Sequence, residues 1–341
     1  MANTLKKQYR TAGWVMLWIS ISILLARILV GFISFPAGTH MRGAFFSITV
    51  QIFCLFLIPL VIYCVALKKP PQQIMTLSGF KRTSPIVLLL SVVLGVVCLF
   101  VMSGIYNAWM MLLEFVSYNP NAGVGGGTPI PITFSNFFIA VFISAVLPGF
   151  CEEFATRGVV LDSTKRTFNK AITIILLGLA FGLIHQNIRQ FLFTSLMGML
   201  LVYLTIELKS IWPAIIIHFF NNLTSLYVTY ATGGLGLPFG SWIRAINMSI
   251  SSQSAQPLII AVGYLGAVVA FFGLIYLMVL ISKKRLKKQK NLKVVQDNID
   301  MTQHNADTVE FKPSLRDNAA YIGAIVTTTA ATIFSFLWGI L

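Results

Sequence analysis

Nine apolar runs, separated by short polar segments, dominate the chain: 12–35, 43–67, 84–113, 133–156, 170–187, 190–208, 211–231, 257–282 and 319–341. A helix needs ~20 apolar residues to cross the hydrocarbon core of a bilayer. The pattern therefore predicts an all-α, polytopic transmembrane helix bundle. The first eight runs form a block. The ninth stands apart, beyond a polar stretch at 283–318. No internal repeat is visible.

Composition agrees. Of 341 residues, 57% are hydrophobic and 10% charged, and mean hydropathy is +0.82. These values exclude an ordinary soluble domain. They also change the meaning of the net charge of +15. In a membrane protein, basic residues set topology and touch anionic lipid, so no nucleic-acid partner is expected. With the N-terminus cytoplasmic, Lys6, Lys7, Arg10, Lys68, Lys69, Lys81 and Arg82 fall on the inner side. Arg157, Lys165, Arg166, Lys170, Lys209 and the run 283–293 join them. Arg42, Arg189 and Arg244 fall outside, and Arg27 lies within the first run. The bias predicts an inner N-terminus, an outer C-terminus and, in a bacterium, the plasma membrane.

The first run follows MANTLKKQYR and lacks a small-residue cleavage site after a short apolar region. It is expected to be a retained signal anchor. The four cysteines, Cys54, Cys64, Cys98 and Cys151, all sit in apolar runs without CxxC spacing. They are read as small buried hydrophobes. The stretch 119–131 is Gly- and Pro-rich and predicts a flexible external loop. The stretch 283–318 starts basic and turns acidic. It predicts a cytoplasmic linker whose basic part, 283–293, rests on anionic headgroups.

The scarcity of acids points to the chemistry. There are ten. Asp297, Asp300, Asp307, Glu310 and Asp317 lie in the polar tail. Asp162 lies among basic residues, and Glu114 and Glu207 lie at run ends, where a charge can snorkel. Only Glu152 and Glu153 remain close to an apolar interior. Of the four histidines, His40 is in a loop and His304 in the tail. His185 and His218 fall within apolar runs. Ionisable groups in such runs usually face the bundle interior or a wet cavity.

Spacing orders these groups. Glu153 and Arg157 are four apart and share a helix face, as do Phe181 and His185, and His218 and Asn222. Glu152 lies ~100° around the helix from Glu153. Measured from turns near residues 167 and 210, Glu152 and His185 are ~22 and ~27 Å deep, but His218 only ~12 Å. The levels agree if the 157–170 end projects into the cytoplasm as helix.

These residues carry a family resemblance. EEFATR (152–157) resembles the EExxxR motif of the CAAX-protease and bacteriocin-processing (Abi) family. FGLIH resembles its FxxxH motif through Phe181 and His185. HFFNN resembles its HxxxN motif through His218 and Asn222. The resemblance covers roughly residues 130–230.

It implies an intramembrane endopeptidase. By motif, Glu152 would be the general base that activates water, and His185 would help hold that water. His218 and Asn222 would donate to the oxyanion, Arg157 would hold Glu153, and Phe181 would support the site. Amide hydrolysis needs these elements on any fold: an activated water, and donors aimed at developing negative charge. No cofactor is implied. Zinc on Glu152, His185 and His218 is the rival, although no HExxH is present. A membrane-embedded or membrane-associated peptide is the expected substrate. A non-catalytic scaffold or immunity protein of the same fold, or a proton-coupled transporter, are the other readings. The expected organisation is thus 1–132 for the first spans and outer loop, and 133–282 for the catalytic bundle and its following span. Residues 283–318 form the linker and 319–341 the last span.

Overall fold

The computed structural model describes residues 2–36, 41–119, 131–251, 257–297 and 313–340. Among these the chain is all-helical, without strands. The long helices are α1 (Ala2–Phe32), α2 (Met41–Leu67), α4 (Pro85–Phe115), α5 (Phe134–Thr164), α6 (Lys170–Ile184), α7 (Ile188–Leu208), α8 (Trp212–Thr232), α10 (Pro257–Asp297) and α11 (Leu315–Ile340). Two shorter ones were not evident in the apolar pattern: α3 (Pro71–Leu77) and α9 (Gly240–Ser251). Proline opens α3, α4 and α10, where its missing N–H costs nothing.

All nine apolar runs are helical. Seven of these helices are long and apolar enough to cross a membrane, making this an integral, multi-pass chain. The two that fall short are α6 and α8. The first is only 15 residues long. The second has 21 residues, but His218, Asn221 and Asn222 interrupt its apolar character. His185 directly follows the first of these helices, and His218 lies within the second.

Ion pairs join residues that the charge pattern places on one side. Lys6 and Arg10 reach Asp317 at 3.6 and 3.8 Å. Glu207 takes Lys170 and also Lys283, the latter at 3.7 Å. The starts of α1 and α11 are therefore tied together, and the end of α7 is tied to the start of α6 and to Lys283 within α10. The basic run does not start as a loop: α10 continues as helix through it to Asp297. The rest of the linker, with His304, lies outside the described residues, as do His40 and nearly all of the Gly-rich stretch 119–131.

The 157–164 segment is helical, as the depth argument requires. It does not project into solvent, however: Arg157 to Thr164 are all buried. The chain after α3 folds over them. Ser78 packs against Gly158, and the Gly79 and Lys81 carbonyls accept from the Ile211 N–H and the Ser210 hydroxyl.

α6 and α7 pack closely because small residues line their contact. A Cβ at Gly178 would collide with Met199, and one at Gly182 with Ser195. Gly198 lies against Phe181. The turn between the two helices, His185 to Asn187, sits inside the bundle. Backbone that leaves a helix at this depth needs protein partners. The Gln186 amide donates to the Ser20 carbonyl of α1 at 3.0 Å. Trp109 of α4 donates to the Ile188 carbonyl at 2.8 Å, and the Ile188 N–H donates to Ser335 of α11 at 3.2 Å. Asn187 caps α7 by accepting from the Arg189 N–H. Gln186 itself is left-handed, with φ 51°, a conformation costly for a residue with a Cβ.

Candidate active site

The site forms where α2, α5, α6 and α8 meet. Two of these helices change pitch there. α5 widens to a π-helix at Phe142–Val146, just before Pro148, which has no N–H to give. It widens again at Phe154–Val160, immediately after the glutamates. α2 is π-helical over Thr49–Leu57. Such bulges concentrate at functional sites, where they re-aim side chains.

Glu153 is the buried anchor. Its Oε1 accepts from Arg157 Nη1 at 3.0 Å and from His218 Nδ1 at 2.8 Å. Both carboxylate and guanidinium side chains are 0% exposed. Arg157 is satisfied further by Thr156 Oγ1 at 2.7 Å and the Gly198 carbonyl at 3.2 Å. Its guanidinium lies 4.1 Å from the centre of the Phe181 ring, a desolvated cation–π contact. Phe181 also meets the rings of His185 and His218 edge-on, at 5.1 and 6.0 Å. The aromatic of the FxxxH pattern therefore packs among three of the polar groups at once.

Glu152 points the other way, into a cavity, and is 8% exposed. Its Oε1 accepts from the Gln51 side-chain amide at 2.7 Å. Its Oε2 has no hydrogen-bond partner in the protein. That oxygen faces His185 Nε2 at 3.9 Å and His218 Nε2 at 4.0 Å.

The hydrogen bonds fix both tautomers. His185 Nδ1 is 2.8 Å from the Phe181 carbonyl, which can only accept, so Nδ1 carries the proton. His218 Nδ1 faces a carboxylate and also donates. In the neutral rings each Nε2 therefore presents a lone pair toward Glu152. His218 Nε2 becomes a donor only when that ring carries a second proton.

Glu152 and His185 line two adjoining cavities of about 290 and 330 Å³. The second also holds His218 and Asn222. Asn222 Oδ1 accepts from Asn221 Nδ2 at 3.2 Å, which leaves the Asn222 amide nitrogen to donate. The structure thus brings all seven motif residues, Glu152, Glu153, Arg157, Phe181, His185, His218 and Asn222, to one place. It adds Gln51, which the sequence did not single out. A polar residue in the middle of the second apolar run was the available signal.

Among the described residues, no group of three or more His, Cys, Asp and Glu side chains is arranged to hold a metal ion. Tetrahedral zinc ligands at ~2.0–2.2 Å lie roughly 3.3–3.5 Å from one another, a tighter set than the 3.9 and 4.0 Å found here. Two groups each hydrogen-bonded to one water at ~2.8 Å are readily this far apart.

Comparison with known families locates the same segment. Residues 134–224 match the family of Rce1-like type II CAAX prenyl endopeptidases. The match spans α5 to the middle of α8 and contains all seven motif residues. It agrees with the resemblance carried by EEFATR, FGLIH and HFFNN. No curated protein and no solved structure matches the chain. Gln51, Ser335 and Arg27 lie outside the matched segment.

Proposed function

We propose that the chain is an intramembrane endopeptidase that hydrolyses a peptide bond of a membrane-associated peptide or protein through water activated by Glu152. The observation that carries this reading is the free Glu152 Oε2, facing two Nε2 atoms across about 4 Å at the wall of a cavity. A water placed there gives one hydrogen to Glu152 and the other to the His185 lone pair. Glu152 removes the first proton as the oxygen attacks the carbonyl carbon. The oxyanion accepts from Asn222 and from His218 Nε2–H in its protonated form, held by Glu153. When the tetrahedral intermediate collapses, the C–N bond breaks and protonated Glu152 delivers its proton to the leaving amine. Arg157 holds the Glu153 carboxylate in place at 3.0 Å, so its role is positional.

The rival reading uses zinc on Glu152, His185 and His218. It draws support from the Phe181 carbonyl and the Glu153 carboxylate, which hold the Nδ1 atoms of the two histidines as hydrogen-bonded neighbours orient metal-bound imidazoles. The distance of Glu152 Oε2 from each histidine and the buried Arg157 beside Glu153 favour water. The substrate is taken to be an apolar peptide or protein tail lying in the bilayer. The N-terminus is taken as cytoplasmic, and the helical basic run 283–293 as resting on anionic headgroups.

The test compares membrane and secreted peptidomes of cells expressing the native chain and Glu152→Gln at matched levels. Peptides that require Glu152 are expected. Identical peptidomes in several hosts with both chains well expressed would overturn the reading. Preincubation of the purified chain with a zinc chelator separates the two mechanisms: activity should persist.

A further inference from the structure

His218 begins a polar stripe that the catalytic scheme uses only in part. His218, Asn222, Ser225, Thr229 and Thr232 recur at intervals of four, three, four and three, so they lie along one face of α8. Ser225 and Thr229 are exposed. Continued the other way, the same face reads Ile215, Ala214 and Ile211, all buried. The character of the face thus changes at His218. The neighbouring helices follow it. On the Ile211 side, Val87 of α4 and Leu204 and Leu208 of α7 pack with Ala214 in one buried apolar cluster. At the level of His218, α4 touches α8: a Cβ at Gly95 would come within 2.8 Å of the Ile217 carbonyl. On the Thr232 side the helices leave a cavity of about 380 Å³, lined by Ser103 and Tyr106 of α4, Gln190 of α7 and Ser225 of α8. Gln190, Asn222 and Ser225 also line the 330 Å³ cavity that holds Glu152 and His218.

Contacts between chain ends name the two sides. The Tyr9 ring lies 6.2 Å from that of Phe168, so the starts of α1 and α6 adjoin. Glu207 ties the end of α7 to Lys170 at the start of α6, and α8 begins directly after α7, at Trp212. The packed side of the site is therefore the face of the N-terminus, and the polar stripe runs to the opposite face. We infer that the site draws both its water and its substrate from the face opposite the N-terminus. Polar groups on a membrane helix face the bundle interior or a wet cavity far more often than lipid. Thr229 and Thr232 donate to carbonyls of their own helix, at 2.9 and 2.8 Å, and their oxygens still accept, as the wall of a water path requires. Hydrolysis consumes a water at every turnover, and the packed apolar side gives it no comparable route. The inference rests on the proposed hydrolysis and names its substrate class. With the N-terminus cytoplasmic, the substrates are translocated segments of secreted or membrane proteins, not cytoplasmic tails.

Thiol labelling tests this without turnover. The probe is a small sulfonated methanethiosulfonate, which does not cross a bilayer. It is applied to intact cells and to inverted membrane vesicles, and the intact mass of the purified chain counts the tags. The native chain, with its four cysteines, gives the background. Lys7→Cys marks the face of the N-terminus. Ser225→Cys and Thr229→Cys should each gain a tag only from the face at which Lys7→Cys gains none. Ile215→Cys, on the packed side of His218, should gain a tag from neither. Labelling of Ser225→Cys, Thr229→Cys or Ile215→Cys from the Lys7 face would overturn the inference. So would no tag on Ser225→Cys and Thr229→Cys from either face, in chains that react fully once denatured, because the stripe would then face lipid. The two readings fail separately. Glu152-dependent peptides that all come from cytoplasmic segments keep the peptidase and sink the sidedness. Labelling from the opposite face without any Glu152-dependent peptide leaves an open polar cavity and sinks the peptidase.

Discussion

Gln51 donates its side-chain amide to Glu152 Oε1 at 2.7 Å, across the contact between α2 and α5. The bond leaves Oε2 as the oxygen that faces the histidines. Gln51 sits in the π-helical part of α2 and lies outside the segment that matches the peptidase family.

Gln51→Leu should therefore lower kcat with little change in KM. A hydrogen bond to a charged group contributes ~1.5–3 kcal/mol, so the loss should be roughly 10- to 150-fold. The readout is steady-state cleavage of a Glu152-dependent substrate found by peptidomics. Turnover equal to that of the native chain would refute a positioning role.

Arg157 should matter to the fold before it matters to chemistry. Its side chain and that of Glu153 are fully buried, and removing one partner of a buried pair leaves an uncompensated charge. Arg157→Met should destabilise by ~3–5 kcal/mol. Adding Glu153→Gln should recover part of that. Thermal unfolding in detergent of both singles and the double reads the coupling. Additive losses would mean that the pair is not the unit described here.

Much of this was legible in the sequence, and the reasons differ by residue. Nine apolar runs became nine helices because a chain of this hydropathy has few ways to satisfy its backbone in lipid. Glu152, Glu153, His185 and His218 stood out because charge is expensive there. Gln51 did not stand out: a neutral amide in an apolar run carries no such penalty, and its partner is 101 residues away. The short helices α3 and α9 were missed because neither is an apolar run. A level site needs the 157–170 end to project into the cytoplasm as helix, and its charges suggest solvent, yet its 157–164 part is buried. It is covered because Arg157 turns back to Glu153 and Gly198, and because the chain after α3 folds over Gly158.

Gly182 tests the close approach of α6 to α7. A Cβ there would meet Ser195 and come within 2.7 Å of the Phe191 carbonyl. Gly182→Ala should lower the yield of folded protein and its Tm. Ser195→Gly should rescue only part of the loss, because the carbonyl cannot move as a side chain does. Size-exclusion profiles and Tm in detergent measure both. A native-like Gly182→Ala would show that the helices have room to separate.

The last helix is expected to act on the site through the turn that carries His185. Ser335 of α11 accepts from the Ile188 N–H at 3.2 Å. Without it, that amide has no helix partner, because Ile188 opens α7. The turn is also the segment that places His185 Nε2 toward Glu152 and contains left-handed Gln186. Ser335→Ala removes one hydrogen bond, ~1 kcal/mol, so the fold should survive with a small fall in Tm. Amide hydrogen exchange at Ile188 should quicken, and cleavage should fall by several-fold through kcat, since His185 is less firmly held. Ser335→Thr keeps the hydroxyl and should restore both. Faster exchange with unchanged kcat would confine α11 to stability. Unchanged exchange would mean that Ile188 is held from elsewhere, and that the last helix does not reach the site by this route.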